Sequence, residues 1–87
     1  MILNGKRNEL QIVYELLSLS KNKPINKTRL MYQTNLSYSH FVKYLFFLLD
    51  NEFLGIQTGN PVGKVYFIKD KGEQFLKEFK DVLDIMP

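Results

Sequence analysis

Ser39, His40 and Lys43 lie within five positions of one another and carry side chains that bind polar or charged partners. Serine and histidine can each donate or accept a hydrogen bond, and a lysine ammonium can pair with an acceptor atom or a phosphate. A second group, Lys27-Thr28-Arg29, precedes them in the chain. These residue types favour the binding of a polyanion over catalysis.

The sequence offers little for catalysis or metal binding. His40 is the single histidine and there is no cysteine, so neither a nucleophile–base pair nor a set of metal ligands can be assembled around an imidazole. The five glycines stand at turns or junctions and form no phosphate-binding loop. We therefore expect no catalytic residue, no metal site, no cofactor and no small-molecule ligand, and we predict that the protein is not an enzyme.

Charge is unevenly distributed along the 87 residues, whose formal net charge is +3. Residues 1–49 contain seven Lys or Arg against two Glu, a balance of +5. Residues 50–87 contain five Lys against seven Asp or Glu, a balance of −2. A basic half that holds both polar groups is the expected footprint of a nucleic-acid-binding protein.

The sequence shows neither a membrane segment nor a secretion signal. Its longest apolar run, residues 45–49, is far shorter than the roughly 20 residues that a membrane-spanning helix needs. The apolar Met1-Ile2-Leu3 is followed at once by polar residues, without the extended apolar region of a signal peptide. The lack of cysteine also means that no disulfide can form, which is usual for intracellular proteins. From these three observations, we expect a cytoplasmic protein that makes no membrane contact.

Apolar residues at helical intervals predict a first helix from about Lys6 or Asn8 to Ser20. Pro24 lies just beyond its end and cannot continue a helix. The predicted core stripe comprises Leu10, Val13, Leu16, Leu17 and Ser20, widened by Ile12 and Leu19.

A second helix is predicted to begin at about Lys27 or Thr28, capped by Asn26 or Thr28. Asn35 tolerates the left-handed conformation that commonly closes a helix, so the helix should end there. Tyr32 could reach a bound partner, but we expect its ring to be buried with the hydroxyl at the rim.

Ser37 is a suitable N-cap for a third helix. We expect Tyr44 to be buried like Tyr32. Phe46 and Phe47 are adjacent and therefore point in different directions, so one of them should be exposed or covered by a partner. The core face of this helix, opposite the polar residues described above, should comprise Phe41, Val42, Leu45, Leu48 and Leu49.

Two β-prone runs follow, at residues 53–58 and 64–69, joined by the turn-forming residues 59–63. Asp70 and Glu73 have the spacing of a capping box and predict a last helix that ends at about Asp84. Three helices, a hairpin and a helix make an α+β fold of the winged helix-turn-helix type. We expect residues 1–87 to form a single winged-helix DNA-binding domain.

A helix-turn-helix presents the start of its second helix to the major groove, while neighbouring elements contact the phosphate backbone. The third predicted helix therefore supplies the base contacts, and the start of the second helix and the hairpin loop supply the phosphate contacts. The predicted DNA-binding residues are Lys27, Thr28, Arg29, Ser37, Tyr38, Ser39, His40, Lys43, Asn60 and Lys64.

Several short motifs along the chain are also familiar from other sequences. They are Lys27-Thr28-Arg29, Met31-Tyr32, Asn35-Leu36-Ser37-Tyr38, Lys43-Tyr44-Leu45, Leu48-Leu49, Tyr66-Phe67-Ile68, Gly72-Glu73 and Phe75-Leu76. With them, residues 8–80 resemble a group of small archaeal winged-helix DNA-binding proteins, which includes a chromatin-associated class and ArnR-like transcriptional regulators. The resemblance implies a duplex-DNA-binding protein, either sequence-specific or sequence-tolerant, that is usually dimeric.

Chromatin-associated members continue the last helix into a long antiparallel coiled coil, but here that helix ends after about 15 residues, or about 22 Å. A homodimer would need a shorter interface within residues 70–86, through Phe75, Phe79, Val82 and Met86, whose spacing matches a two-stranded seam. The alternative to DNA binding is a winged-helix module that binds another protein, for which the third helix would need a contiguous apolar patch.

Overall fold

A computed structural model describes residues 8–59 and 63–86, and the bounds of its elements follow the predicted order. The helices are α1 Glu9–Lys21, α2 Lys27–Thr34, α3 Tyr38–Asp50 and α4 Asp70–Ile85. The strands are β1 Ile25–Asn26, β2 Leu54–Gly59 and β3 Gly63–Ile68. Three helices, a hairpin and a C-terminal helix are thus confirmed.

The three strands form an antiparallel sheet in which β3 lies between β1 and β2. Ile25 pairs with Tyr66 and Leu54 pairs with Ile68. The hairpin formed by β2 and β3 was predicted, but β1 was not. Two residues are too few to show the alternating pattern by which a strand is recognised in a sequence. β1 forms because it can pair with the free edge of β3.

The first three helices and the sheet enclose one core, and α4 adds Leu76 to it. Two buried hydroxyls satisfy their hydrogen-bonding capacity locally, because Ser20 donates to the carbonyl of Leu16 and Thr34 to that of Leu30, both at 2.9 Å. The core comprises Ile12, Val13, Leu16, Leu17, Leu30, Phe41, Leu45, Leu48, Leu54, Tyr66 and Leu76.

Helix α1 starts with a reciprocal capping box. The Asn8 side-chain oxygen accepts a hydrogen bond from the Gln11 amide at 2.8 Å, and the Gln11 side-chain oxygen accepts one from the Asn8 amide at 3.1 Å. The prediction that Leu10 belongs to the core stripe was wrong, since this side chain is 55% exposed. Leu10 lies in the first turn of the helix and lines an open groove rather than the core. Helical periodicity identifies the apolar face of a helix, but it does not tell how far along the helix other elements pack against that face.

The predicted capping box at the start of α4 is absent. The N-cap is Lys69, which makes no side-chain capping bond, and Asp70 is already the first helical residue. Asp70 and Glu73 still lie in the first turn, where negative charge stabilises the positive end of the helix dipole. Lys69 bonds Glu52 instead, and this hydrogen bond and charge lower the pKa of the Glu52 carboxyl below its ordinary value.

A close backbone approach fixes α4 against the segment that leads into β2. A Cβ added at Gly72 would lie 2.5 Å from the carbonyl oxygen of Phe53, closer than any side chain tolerates. That same oxygen accepts the amide of Lys69 at 2.9 Å. Glycine at position 72 therefore lets α4 pack directly on the segment before the sheet.

Among residues 8–59 and 63–86, no helix has both the length and the apolar character that crossing a bilayer would require.

Candidate nucleic-acid interface

Helices α2 and α3 are joined by a three-residue turn whose conformation follows from its sequence. Asn35 ends α2 in the left-handed region, at φ 55° and ψ 39°, and its amide donates to carbonyls of the last turn. Ser37 begins α3, with its hydroxyl oxygen 3.4 Å from the amide of His40. Asn26 caps α2 through the amide of Arg29 at 2.8 Å. The caps predicted at Asn35 and Ser37 are therefore confirmed, and of the two candidates for the N-cap of α2, Asn26 and Thr28, the structure has Asn26.

The first two turns of α3 present polar side chains to solvent. Ser39, His40 and Lys43 are all exposed. On the opposite side of the same turns, Phe41 is fully buried and Leu45 is 3% exposed. Because Ser39 and Lys43 are four residues apart, they lie one above the other on a single stripe. The core thus fixes which face of α3 is available to a partner.

The start of α2 contributes basic side chains next to the start of α3. Lys27, Thr28 and Arg29 are exposed in the first turn of α2. The Lys27 ammonium lies 5.3 Å from the centroid of the Tyr38 ring, a distance at which a cation is attracted to the ring face. Tyr38 itself is 61% exposed. This contact brings the start of α2 to the start of α3, where Tyr38 directly precedes Ser39 and His40.

The hairpin supplies one further basic side chain. Lys64 is exposed on β3 and pairs with Thr58 on β2, near the tip of the hairpin. Asn60, the other wing residue predicted to bind DNA, lies outside the described residues.

An apolar groove adjoins the polar surface. It has a volume of about 290 Å³ and runs between the first turn of α1, α3 and the start of α4. Leu10, Phe47 and Phe75 line it, with Lys43 at its edge. Lys43 is therefore shared between the polar face of α3 and an apolar surface that suits a protein partner.

Residues 8–59 and 63–86 contain no group of three or more His, Asp or Glu placed to hold a metal ion. The side chains gathered here are hydrogen-bonding and basic, and a sequence model of the winged helix-turn-helix family matches residues 6–86. The chain belongs to the winged helix-turn-helix family.

Two curated relatives of this winged helix-turn-helix chain are uncharacterized proteins of Methanocaldococcus jannaschii. One, MJ0290, is 37% identical over 81 residues, which is 93% of this chain and 36% of the relative. The other, MJ0287, is 39% identical over 49 residues, or 56% of this chain and 50% of the relative. The chain therefore spans about a third of the first relative and half of the second.

Among solved structures, the winged helix-turn-helix chain is similar to Sso10a-2, described as a DNA-binding protein from Sulfolobus solfataricus. The match has a TM-score of 0.76 and 26% identity, and it covers 91% of this chain and 81% of that one. The predicted fold and resemblance are thus confirmed. The family and this neighbour indicate a binding protein rather than an enzyme.

Two exposed aromatic residues on the winged helix-turn-helix were not among the predicted site residues. Tyr32 was expected to be buried, but it is 84% exposed on α2. It follows Thr28 by four residues and lies opposite the buried Leu30 and Thr34, so a helical projection of α2 could have identified it. Phe46 on α3 is 59% exposed.

Proposed function

We propose that this chain binds double-stranded DNA, sequence-specifically or sequence-tolerantly, as a small archaeal transcriptional regulator. The observation that carries the proposal is the first half of α3, where Ser39, His40 and Lys43 are exposed opposite the buried Phe41. Such a helix can enter the major groove with hydrogen-bonding side chains facing the base edges. The DNA-binding neighbour and the archaeal sources of the three similar proteins named above support it.

In the proposed complex, each element has a separate task. Helix α3 enters the major groove, where Ser39 and His40 contact base edges and Lys43 contacts a guanine acceptor or a phosphate. Ser37, Tyr38 and the first turn of α2, with Lys27, Thr28 and Arg29, meet the sugar–phosphate backbone. The hairpin, with Asn60 and Lys64, follows the adjacent minor groove.

The test is fluorescence anisotropy with a random duplex of about 25 base pairs over a series of salt concentrations. Each phosphate that the protein neutralises should contribute about −0.9 to the slope of log affinity against log salt concentration, so we expect a slope of roughly −3 to −8. Since even non-specific binders associate with DNA at low salt, an absence of binding there would contradict the proposal.

The apolar groove is the observation that favours the alternative function, a module that binds another protein. Its lining by Leu10, Phe47 and Phe75 gives α3 an apolar neighbour beside its polar face. No binding at low salt would favour this alternative, because a module that binds another protein needs none of the phosphate contacts that give even non-specific binders affinity for DNA. The same salt series therefore separates the two functions.

We further propose that the protein acts as a homodimer through α4. Two protomers would double the basic contacts and match a two-fold DNA site. Val82 and Met86, both on the proposed seam, are 52% and 51% exposed. Phe75 and Phe79 lie on the same stripe, half-buried and stacked at 5.6 Å. Phe79 also packs on Tyr14 at 5.1 Å, so Val82 and Met86 offer the more accessible part of the interface.

Val82→Asp should convert such a dimer into a monomer, because a carboxylate would be buried in an apolar interface without a partner. Sedimentation equilibrium over a concentration series measures the change. Lys77→Ala, an exposed substitution on the same helix, serves as the control and should leave the dimer intact. A wild-type protein that sediments as a monomer would contradict the dimer but not the DNA binding.

A further inference from the structure

Phe46 is a large apolar side chain on the polar face of α3, where it is 59% exposed. It follows Lys43 by three residues and Ser39 by seven, so the three side chains form one stripe along the helix. Its neighbour Phe47 points about 100° away around the helix. Phe47 has the ring of Phe53 at 6.1 Å and lines the apolar groove. Phe47 also lies one turn beyond Lys43, but its ring packs against Phe53 beside the groove, so we assign Phe46 rather than Phe47 to the proposed DNA-facing surface.

We propose that Phe46 determines specificity by contacting the 5-methyl group of a thymine in the major groove. A phenyl ring has no hydrogen-bond donor or acceptor, and the thymine methyl group is the apolar feature that a base pair presents there. Phenylalanine is one of the side chains able to make this contact. The inference rests on the proposed DNA binding and adds a base preference to it.

The position of Phe46 along α3 sets where the thymine should lie. At 1.5 Å per residue, Phe46 is about 4.5 Å beyond Lys43 and about 10.5 Å beyond Ser39. The thymine should therefore lie beyond the group that Lys43 contacts, on the side toward the C-terminus of α3. Asp50 is exposed one turn further along and would be repelled by phosphates, so Phe46 ends the contact surface.

The experiment begins with selection of duplexes from a random 24-base-pair pool by the 87-residue chain, followed by sequencing. In the best selected duplex, each thymine is then replaced in turn by uracil, which lacks only the 5-methyl group. Affinities of the wild type, Phe46→Ala and Phe47→Ala for each duplex are measured by fluorescence anisotropy at one salt concentration. Circular dichroism establishes that both variants fold.

We expect one thymine, or a symmetric pair, at which uracil weakens wild-type binding by about fourfold, the value of one buried methyl group. Phe46→Ala should bind the thymine and uracil duplexes equally. Phe47→Ala, the matched control on the same helix, should keep the wild-type preference. This pattern assigns the methyl contact to Phe46, because general effects of uracil on duplex shape would appear in all three proteins.

Three results would overturn the inference. The first is a selection that enriches no sequence, the second is a selected duplex in which uracil costs nothing at any position, and the third is an unchanged preference in Phe46→Ala. In each of them DNA binding itself remains, so the proposed function stands. A chain that retains no duplex from the pool at low salt would instead contradict the proposed function together with this inference.

Discussion

Lys43→Ala should weaken binding to duplex DNA by about tenfold or more. A hydrogen bond to a charged group contributes about 1.5–3 kcal/mol, and about 1.4 kcal/mol corresponds to a factor of ten in affinity. Lys43 is exposed on α3 in line with Ser39, and it is the single basic residue of that helix. No neighbour on α3 can replace its charge. The reduction in affinity should therefore exceed that for any basic residue on α4.

The measurement is the salt series on the wild type, Lys43→Ala and Lys77→Ala. Lys77 is exposed on α4, away from the proposed DNA-facing surface, so its removal should change affinity little. If Lys43 neutralises a phosphate, the slope for Lys43→Ala should be less steep than that of the wild type by about one. If Lys43 instead bonds guanine, the preference for one base pair should relax. Equal reductions in affinity in the two variants would argue against the docking of α3.

Phe41→Ala should lower the free energy of unfolding by about 3–5 kcal/mol, the usual cost of removing a fully buried phenyl ring. Phe41 has no exposed surface and anchors the first turn of α3 in the core. A domain of this size has a total stability of roughly 4–13 kcal/mol. At the lower end of that range, the substitution would leave the protein close to unfolding at ambient temperature.

Thermal and urea denaturation followed by circular dichroism measure this destabilisation, which should lower Tm by roughly 15–30 °C. Phe47→Ala is the matched control, because the same side chain on the same helix is 46% exposed there. Phe47→Ala should lower the free energy of unfolding by much less than Phe41→Ala does. Equal destabilisation by the two substitutions would contradict an orientation of α3 that buries Phe41 and exposes Phe47.

The order of elements and the helix caps could be predicted because each depends on local physics. Ser37 and Asn26 cap helices through bonds that span three residues, and Asn35 adopts its left-handed conformation within the turn itself. Asp70 shows the limit of this reasoning. It has the composition of a cap, but the pairing of β3 continues as far as Ile68 and the helix begins at Asp70. The strand ends one residue earlier than predicted, so Lys69 takes the N-cap position and Asp70 moves into the first turn of the helix.

Residue type and spacing alone identified the polar face of α3 and the basic start of α2, because the side of a helix that lacks apolar residues must face water or a partner. Tertiary structure decided how far each apolar stripe is covered. Leu10 lies on the apolar side of α1 and is still exposed, because no packed element fully covers that end of the stripe, which periodicity cannot reveal. The pairing of β1 with β3 and the contact of Lys27 with Tyr38 likewise depend on distances between elements that only the folded chain sets.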